Sequence, residues 1–552
     1  MNLPMESHCL RFAEIPRTAK FFSTFLDDFG RVAPYFGHPP TAAGVDAAAR
    51  EIRLDGGLRR IVVEILEEQN RRLAPGGEID SATSRNLERL ARGAVAIVTG
   101  QQVGLFSGPA YTFYKALSAV RCAEDTTRRG IEAVPVFWLA TEDHDLGEVS
   151  HAYWSTRNGL VRYEWPAELE GSGRRVGEIV LGQAIESVVG AAAQALEGPF
   201  AADISRALHE SYTARDTYGS AFGKLMARLL AGRGMIFLDQ LDTRFHRLFL
   251  PSFRAAAQQA APLREALLSR SEELEAAGFQ SQVKVTRETT LLFASTAERR
   301  EPVRARQGGF VVGDRELSTS QLLDAIERQP ESFSPSALLR PVVQDTILPT
   351  AAYIGGPAEI TYLAQAQVVY QALLGRMPAM LPRSSFTLIE QSIARFVTQY
   401  ELDLRDVLAG RQHLRAKMEQ KSLSGALASQ FEASEEELRR LMKAFEDPLA
   451  KLDATLVESL HGAQAKMLHQ FTQLKGKVAR AENFRSGVLD RHERILIDSL
   501  APQGELQERT LCLLPFLAGH GPVLLDELGS RSSIVDTGRS KSNALQHQIL
   551  FF

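Results

Sequence analysis

Ala94-Val95-Ala96-Ile97-Val98-Thr99-Gly100-Gln101-Gln102-Val103-Gly104-Leu105-Phe106-Ser107-Gly108-Pro109 is the stretch on which the fold turns. The run Ala94 to Val98 is too short for a helix and too uniform for a half-exposed strand. It suits a strand covered on both faces, as in parallel sheets. A glycine-containing loop ends it, a helix is expected from Pro109 to Arg129, and Gly130 stops that helix. Ala133-Val134-Pro135-Val136-Phe137-Trp138-Leu139 then reads as a second strand. Strand, loop, helix, strand is the βαβ unit of an α/β parallel sheet. Pro135 has no N–H for a ladder, which places it at the first pairing position of its strand.

Working outward, Met235-Ile236-Phe237-Leu238 ending in Asp239 is a third strand. Val342-Val343-Gln344-Asp345 and Ala351 to Gly356 read as a strand-and-loop section, followed by a helix from Ala358 to Gly375 and a strand at Pro378 to Pro382. Residues 1–90 are expected to be helical and to pack on the core. Phe21, Phe22, Phe25, Leu26 and Phe29, then Leu58, Ile61, Val62, Ile65 and Leu66, recur there at helical spacing. The core is expected over 91–155, continuing through 156–335 with an inserted connecting subdomain, and resuming over 336–388. Within that middle region 196–232 read as helical, and 283–295 and 309–312 as strands. Over 389–498 Gly and Pro become rare. Leu438, Leu441, Phe445, Leu449, Leu452, Leu456, Leu460, Ala463, Met467, Phe471 and Leu474 advance there in steps of three and four. Two long helices meeting near Pro448 and folded back as an antiparallel coiled coil fit this stripe; a single kinked helix is the alternative. Residues 499–552 return to a mixed style and pack on core or arm.

Composition removes several function classes. With 552 residues, 44% hydrophobic and 24% charged, the chain has material for two to four domains. A net charge of -4, from 63 Lys and Arg against 67 Asp and Glu, gives no basic surface for nucleic acid. Cys9, Cys122 and Cys512 are far apart and odd in number, so neither a disulfide framework nor a zinc pattern is expected. Cys122 reads as a small buried thiol. Met1 to Leu10 lacks a basic-then-apolar pattern, and no apolar run is long enough to span a bilayer. A cytoplasmic protein without membrane or nucleic-acid partners is the expectation.

Three segments carry chemistry. Gly100, Gly104 and Gly108 lie beyond the carboxyl end of a strand, where parallel-sheet proteins bind ligands. Their backbone N–H groups suit an anion, although a purely structural turn has equal standing. Gln101 and Gln102 supply donors and acceptors, and Lys115, one turn after Tyr111, is placed either to reach that anion or to face solvent. Glu142-Asp143-His144-Asp145, with Glu148 and His151, follows the second strand. Polar ligand binding, a metal site and an acidic helix start are its three readings. The third segment is Gln344-Asp345-Thr346 with Gly355-Gly356-Pro357-Ala358-Glu359. There Glu359 either complements a helix N-terminus or holds a substrate ammonium. Arg340 and Arg383 are carboxylate clamps in waiting.

Taken in order, these segments resemble the cysteine ligases of bacillithiol biosynthesis. The likeness rests on Thr99–Pro109 with Tyr111-Thr112 and Lys115, and on Pro135-Val136-Phe137-Trp138 with Glu142–Asp145 and Glu148. It continues in Leu339–Asp345, Gly355–Glu359, Pro382-Arg383 and Gly504–Arg509, so it runs through nearly the whole chain. The resemblance implies a Rossmann-like core with connecting insertions, a C-terminal antiparallel coiled coil, and a homodimer. It implies a ligase that adds L-cysteine to the amino group of glucosaminyl-malate, with ATP or another adenine nucleotide, and Mg2+, activating the carboxylate. It also implies an adenine-nucleotide site near the coiled coil, assigned to Gln507 and Arg509. By the same resemblance the Gly100–Gly108 loop, with Ser107, holds malate or phosphate groups. His144 stabilises charge on phosphate, and Asp143 or Glu359 orients an amine. Arg383 pairs with a carboxylate, and Tyr111, Lys115, Asp145, Asp345, Gly355 and Gly356 complete the substrate set. No metal ligands are expected. No His-x-Gly-His or Lys-Met-Ser-Lys-Ser signature accompanies it. The competing reading is a non-catalytic protein that binds thiol-pathway metabolites and docks through its coiled coil.

Overall fold

Five parallel strands form the central sheet: β1 (Val95–Gln102), β2 (Ala133–Ala140), β3 (Ile236–Asp239), β4 (Thr350–Gly355) and β5 (Ala379–Pro382). In this computed structural model the described residues are 6–156, 159–165, 173–295, 300–421, 425–532 and 545–552. The first five residues of the Met1–Leu10 segment lie outside them. Strand order is β5-β4-β1-β2-β3. The chain moves from β1 to β3 on one side and returns to lay β4 and β5 on the other, so the order reverses between β1 and β4. The carboxyl ends of those two strands diverge there, and a crevice opens.

Both faces of the sheet are covered, which is why its strands read as uniform apolar runs: Ala96, Ile97, Val98, Val136 and Phe137 have no exposed surface. The helices that matter to the site are α1 (Gly56–Leu73), α2 (Tyr111–Arg128), α3 (Thr243–Gln258), α4 (Arg340–Ile347) and α5 (Pro357–Leu373). α2 follows β1 and α5 follows β4, so the start of each faces the crevice. The outer edge of β3 is closed by two amide side chains of α1. Asn70 Nδ2 donates to Phe237 O at 2.8 Å and Asn70 Oδ1 accepts from Phe237 N at 2.9 Å. Gln69 repeats the arrangement on Asp239 at 2.9 and 3.0 Å. These amides satisfy edge groups that would otherwise invite another strand.

Three sequence expectations need correction. Pro135 is the third residue of β2 and pairs with Ile97. It is tolerated because pairing with β3 begins one residue later, at Val136 and Ile236. Val342–Asp345 is part of α4 and not a strand. Pro341 sits in that helix's first turn, where a missing N–H costs nothing, and Val342, Val343 and Ile347 bury its apolar face. Of 283–295 only Leu292–Ser295 is extended, whereas 309–312 is a strand as expected.

Contacts divide the chain into two units. One comprises Met1–Thr156, Val161–Phe386 and Glu508–Ile549; the other comprises Arg157–Leu160, Thr387–Gln507 and Leu550–Phe552. The second is helical: α6 (Arg411–Lys421), α7 (Gly425–Lys443), α8 (Glu446–Leu452), α9 (Thr455–Ser486) and α10 (Val488–Leu500). Phe431 of α7 meets Phe471 of α9 edge-on at 6.0 Å, so the two long helices run antiparallel. Their reversal is a short helix rather than a simple bend. Pro448 falls in the first turn of α8, where proline is tolerated, and Asp453 caps the next helix by accepting from Thr455 N at 2.8 Å.

Candidate active site

The crevice at the ends of β1 and β4 is a cleft of about 430 Å³, and every residue lining it belongs to the first unit. Its floor is the carboxyl end of β1. A side chain at Gly100 would sit 3.1 Å from Trp138 O, so glycine lets β2 approach there. Beneath lies Lys115, 4% exposed, whose Nζ donates to Gly100 O and to Gln101 Oε1 at 2.8 Å each and pairs with Glu359. An ammonium has three protons, and all three are engaged. Burial pulls the Lys115 pKa down, with Glu359 opposing. Glu359 is engaged on both oxygens: Oε1 accepts from Tyr353 OH at 2.7 Å and Oε2 from Gly356 N at 2.8 Å. Burial alone would raise its pKa, but Lys115 and these donors hold it below the usual carboxylate range.

Two guanidinium groups line one side. Arg340 donates to Tyr362 OH at 3.1 Å, Tyr353 OH at 3.3 Å and Gln344 Oε1 at 3.2 Å. Arg383, 5% exposed, donates to Glu508 Oε1 at 2.7 Å and Ser384 O at 2.9 Å and lies over the Tyr111 ring at 5.2 Å. Its Nε is buried and has no partner among the described residues. That donor lies 3.6 Å from where a side chain on Gly356 would begin, so it points at the glycine-lined part of the cleft. An unpaired buried guanidinium N–H is a demand for an acceptor. Arg509 lines the cleft as well.

Carboxylates line the other part. Gln102 Nε2 donates to Asp143 Oδ2 at 2.5 Å and Glu148 Oε2 at 2.9 Å, which ties the end of β1 to the loop after β2. Glu142 is buried and paired with His246 at 2.8 Å. Arg300 is held by Ser334 Oγ at 2.8 Å and Pro335 O at 2.9 Å. Its third contact is His144 Nδ1 at 3.3 Å.

Of the residues expected from sequence, Gly100, Gln101, Gln102, Tyr111, Lys115, Asp143, Gly356, Glu359, Arg383 and Arg509 line this cleft. The others lie elsewhere. His144 is 42% exposed beside Asp143 and stands outside the lining. Asp145 caps a short helix by accepting from Glu148 N at 3.1 Å. Asp345 is fully enclosed, accepting from Tyr370 OH at 2.6 Å and Gln344 Nε2 at 2.9 Å; burial raises its pKa. Gly355 is β4 backbone behind the lining. Gln507, assigned to a nucleotide, binds backbone instead: Leu388 N and O and Ser499 O, each at 2.8 Å.

Gly104, Ser107 and Gly108 form a buried turn and do not line the cleft. Phe106 and Ser107 both adopt positive φ, at 51° and 76°, and Cys512 Sγ donates to Phe106 O at 3.0 Å. Burial pushes that thiol up to about 11 and Cys122 up to about 12, which disfavours the nucleophilic thiolate of each. Gly104→Ala would set a methyl 2.9 Å from Gly108 Cα. A urea melt is expected to show it less stable than wild type by about 1–3 kcal/mol through overpacking. Reading the sequence overlooked His246, Arg300, Tyr353, Tyr362 and Glu508 as site residues. His246 left one signal: it shares a helix face with Phe249 and Phe253, and a histidine in an aromatic core stripe needs a polar partner.

A five-stranded parallel sheet with a charged cleft at its switch point defines a Rossmann-like domain, here with a helical region in the same chain. Residues 5–384 match the family model described as Bacillithiol biosynthesis BshC, N-terminal Rossmann-like domain. Residues 386–539 match the BshC C-terminal coiled-coil domain. The chain belongs to this family. Relatives named "Putative cysteine ligase BshC" include that of Koribacter versatilis (strain Ellin345), 40% identical over 94% of this chain and 96% of its own. Those of Solibacter usitatus (35%, covering 94% and 96%) and Chlorobaculum tepidum (34%, covering 85% and 86%) are similar too. The chain is accordingly a ligase of the bacillithiol-biosynthesis family. No helix among the described residues is long and apolar enough to cross a membrane.

Proposed function

We propose that this ligase joins the carboxyl group of L-cysteine to the amino group of glucosaminyl-malate, with ATP activating the carboxylate. The observation that carries the reading is the buried Nε of Arg383, without a partner among the described residues, in a cleft that also presents Glu142, Asp143 and Glu148. A cleft lined by both guanidinium groups and carboxylates suits reactants that bring carboxylate or phosphate oxygens and an amine. Arg383 and Arg340 take the part of stabilising anionic charge, which is worth most in a water-poor site. His144, outside the lining, supports Arg300 instead. In this reading Mg2+ arrives bound to the nucleotide phosphates. Leu441, Phe445, Leu452, Met467 and Leu474 are exposed apolar residues on the arm, where a second copy would pair.

The test is mass spectrometry of purified protein with cysteine, glucosaminyl-malate, ATP and Mg2+, with light scattering of the same sample to read a dimer. The expected product is the amide-linked thiol, and release of AMP or ADP identifies the activation chemistry. No product despite binding of both substrates would overturn the catalytic reading and favour a metabolite-binding protein that docks through its arm.

A further inference from the structure

Glu142 follows β2 by two residues. It is 4% exposed, yet it lines the cleft. Behind it, in the first turn of α3, His246 has no exposed surface. His246 Nε2 lies 2.8 Å from Glu142 Oε1, and Nδ1 lies 3.3 Å from the carbonyl oxygen of Asp242. Phe249 packs edge-on against the imidazole at 5.9 Å, and Trp138 leans on Phe249 at 6.2 Å. The ring is therefore fixed by packing, and it faces a carboxylate on one side and a carbonyl on the other. An ionised Glu142 only accepts, so the short contact is Nε2–H donating to Oε1. Oε2 takes no hydrogen bond from the described residues.

The neighbouring carboxylates are differently placed. Glu359 is neutralised by Lys115 and engaged on both oxygens. Asp143 accepts from His144 N on Oδ1 and from Gln102 on Oδ2. Glu148 accepts from Gln102 and lies exposed at the rim. Glu142 alone combines burial, a fixed histidine behind it and an oxygen left over for the cleft. The charged groups around the pair are Arg300 on the cleft side, Asp239 at the end of β3, Asp143 next in the chain, and Asp242 at the start of α3.

We propose that Glu142 is the proton acceptor for the attacking amine and that His246 is the positioning residue that orients its carboxylate. This rests on the ligase reading above. In the step itself, the neutral amine attacks the carbonyl carbon of cysteine activated as a mixed carboxylic–phosphoric anhydride. The C–N bond forms, and the C–O bond to phosphate breaks with its electron pair leaving on the phosphate. The surplus proton on nitrogen passes to Glu142 Oε2. Without a fixed acceptor, that proton would have to pass to water in the cleft.

Glu142→Gln keeps the shape and can still accept from His246. It is expected to lower kcat by about 100- to 10,000-fold, the usual range for a lost general base, with KM for cysteine little changed. His246→Leu removes the N–H that stabilises the carboxylate, so the acid limb of the pH–kcat profile should move up by about one unit. His246→Gln, whose amide N–H can replace Nε2–H, should return the limb toward wild type. A histidine with a packing role alone would change the melting temperature and leave that limb in place. Product from wild type with Glu142→Gln equally fast overturns this assignment and spares the ligase reading. An unmoved limb in folded His246→Leu removes the role of His246. Wild type without any cysteine adduct overturns the ligase reading, and this assignment with it.

Discussion

Glu508→Ala is expected to lose about 3–5 kcal/mol of stability, because it leaves a buried guanidinium without its countercharge. Glu508 is 1% exposed and accepts from Arg383 at 2.7 Å, Ser385 Oγ at 2.9 Å and Phe386 N at 3.0 Å. Removing it uncovers three buried donors at once. Denaturant unfolding read by circular dichroism measures the loss; an unchanged midpoint would mean that the site collapses around Arg383 at little cost. Glu508→Gln should lose less, since its amide oxygen still accepts one of these bonds.

The same cluster fixes how stability responds to acid. Burial drives the His547 imidazole down to about 4, from an ordinary value near 6.5; its Nδ1 lies 2.7 Å from Ser385 Oγ. The folded pKa is below the unfolded one, so the unfolded chain binds the extra proton first. The neutral imidazole's contribution is complete above pH 6.5 and disappears as the pH falls to 4, for a total of roughly 3 kcal/mol. Glu508 acts in the same direction lower down. Burial would raise its pKa, but Arg383 holds it below the usual value, so its contribution is present above the unfolded carboxylate pKa and is lost as pH falls through the folded one. Unfolding midpoints should therefore begin to drop from about pH 6.5, well before ordinary carboxylates titrate.

How far such features could be read in advance depended on the kind of residue. β1, β2 and β3 were legible because burial on both faces forces an unbroken apolar run, and each run ends in a glycine or polar residue at the ligand side of the sheet. α4 was misread because Val342-Val343-Gln344-Asp345 is too short to show a period, and Pro341 fits a helix start as well as a strand end. The glycines after β1 were ambiguous for a physical reason. Gly100 makes room for Trp138 and Gly104 makes room for Gly108, so the same residue type serves a cleft floor and a buried turn four residues apart. Glu508 and His246 escaped because their partners, Arg383 and Glu142, are more than a hundred positions away in sequence. Only the sheet brings them together.

Lys115→Met should show what the cleft floor is made of. The natural expectation for a lysine after a glycine loop is an anion ligand, and on that view the substitution would weaken substrate binding and leave stability nearly intact. The geometry says otherwise. All three protons of Nζ are committed to Gly100 O, Gln101 Oε1 and Glu359, beneath a surface that exposes 4% of the residue. Removing the ammonium leaves the half-buried Glu359 with only Tyr353 OH and Gly356 N–H as donors. Its pKa should then rise, since burial is the largest influence on it and Lys115 the main counterweight. The expected loss is about 3–5 kcal/mol, as for other buried pairs broken on one side. Glu359→Gln alone should cost a similar amount by stranding Lys115. The double variant Lys115→Met/Glu359→Gln, with no charge left to strand, should recover much of it, giving a coupling energy of about 1–3 kcal/mol in a double-mutant cycle. Additive losses would mean that the two side chains act independently, and Lys115 would return to candidacy as a ligand for substrate oxygens. Strong coupling would mean that the floor is a neutral, preformed platform, and the task of meeting anionic oxygens would fall to Arg383, whose Nε has no partner among the described residues.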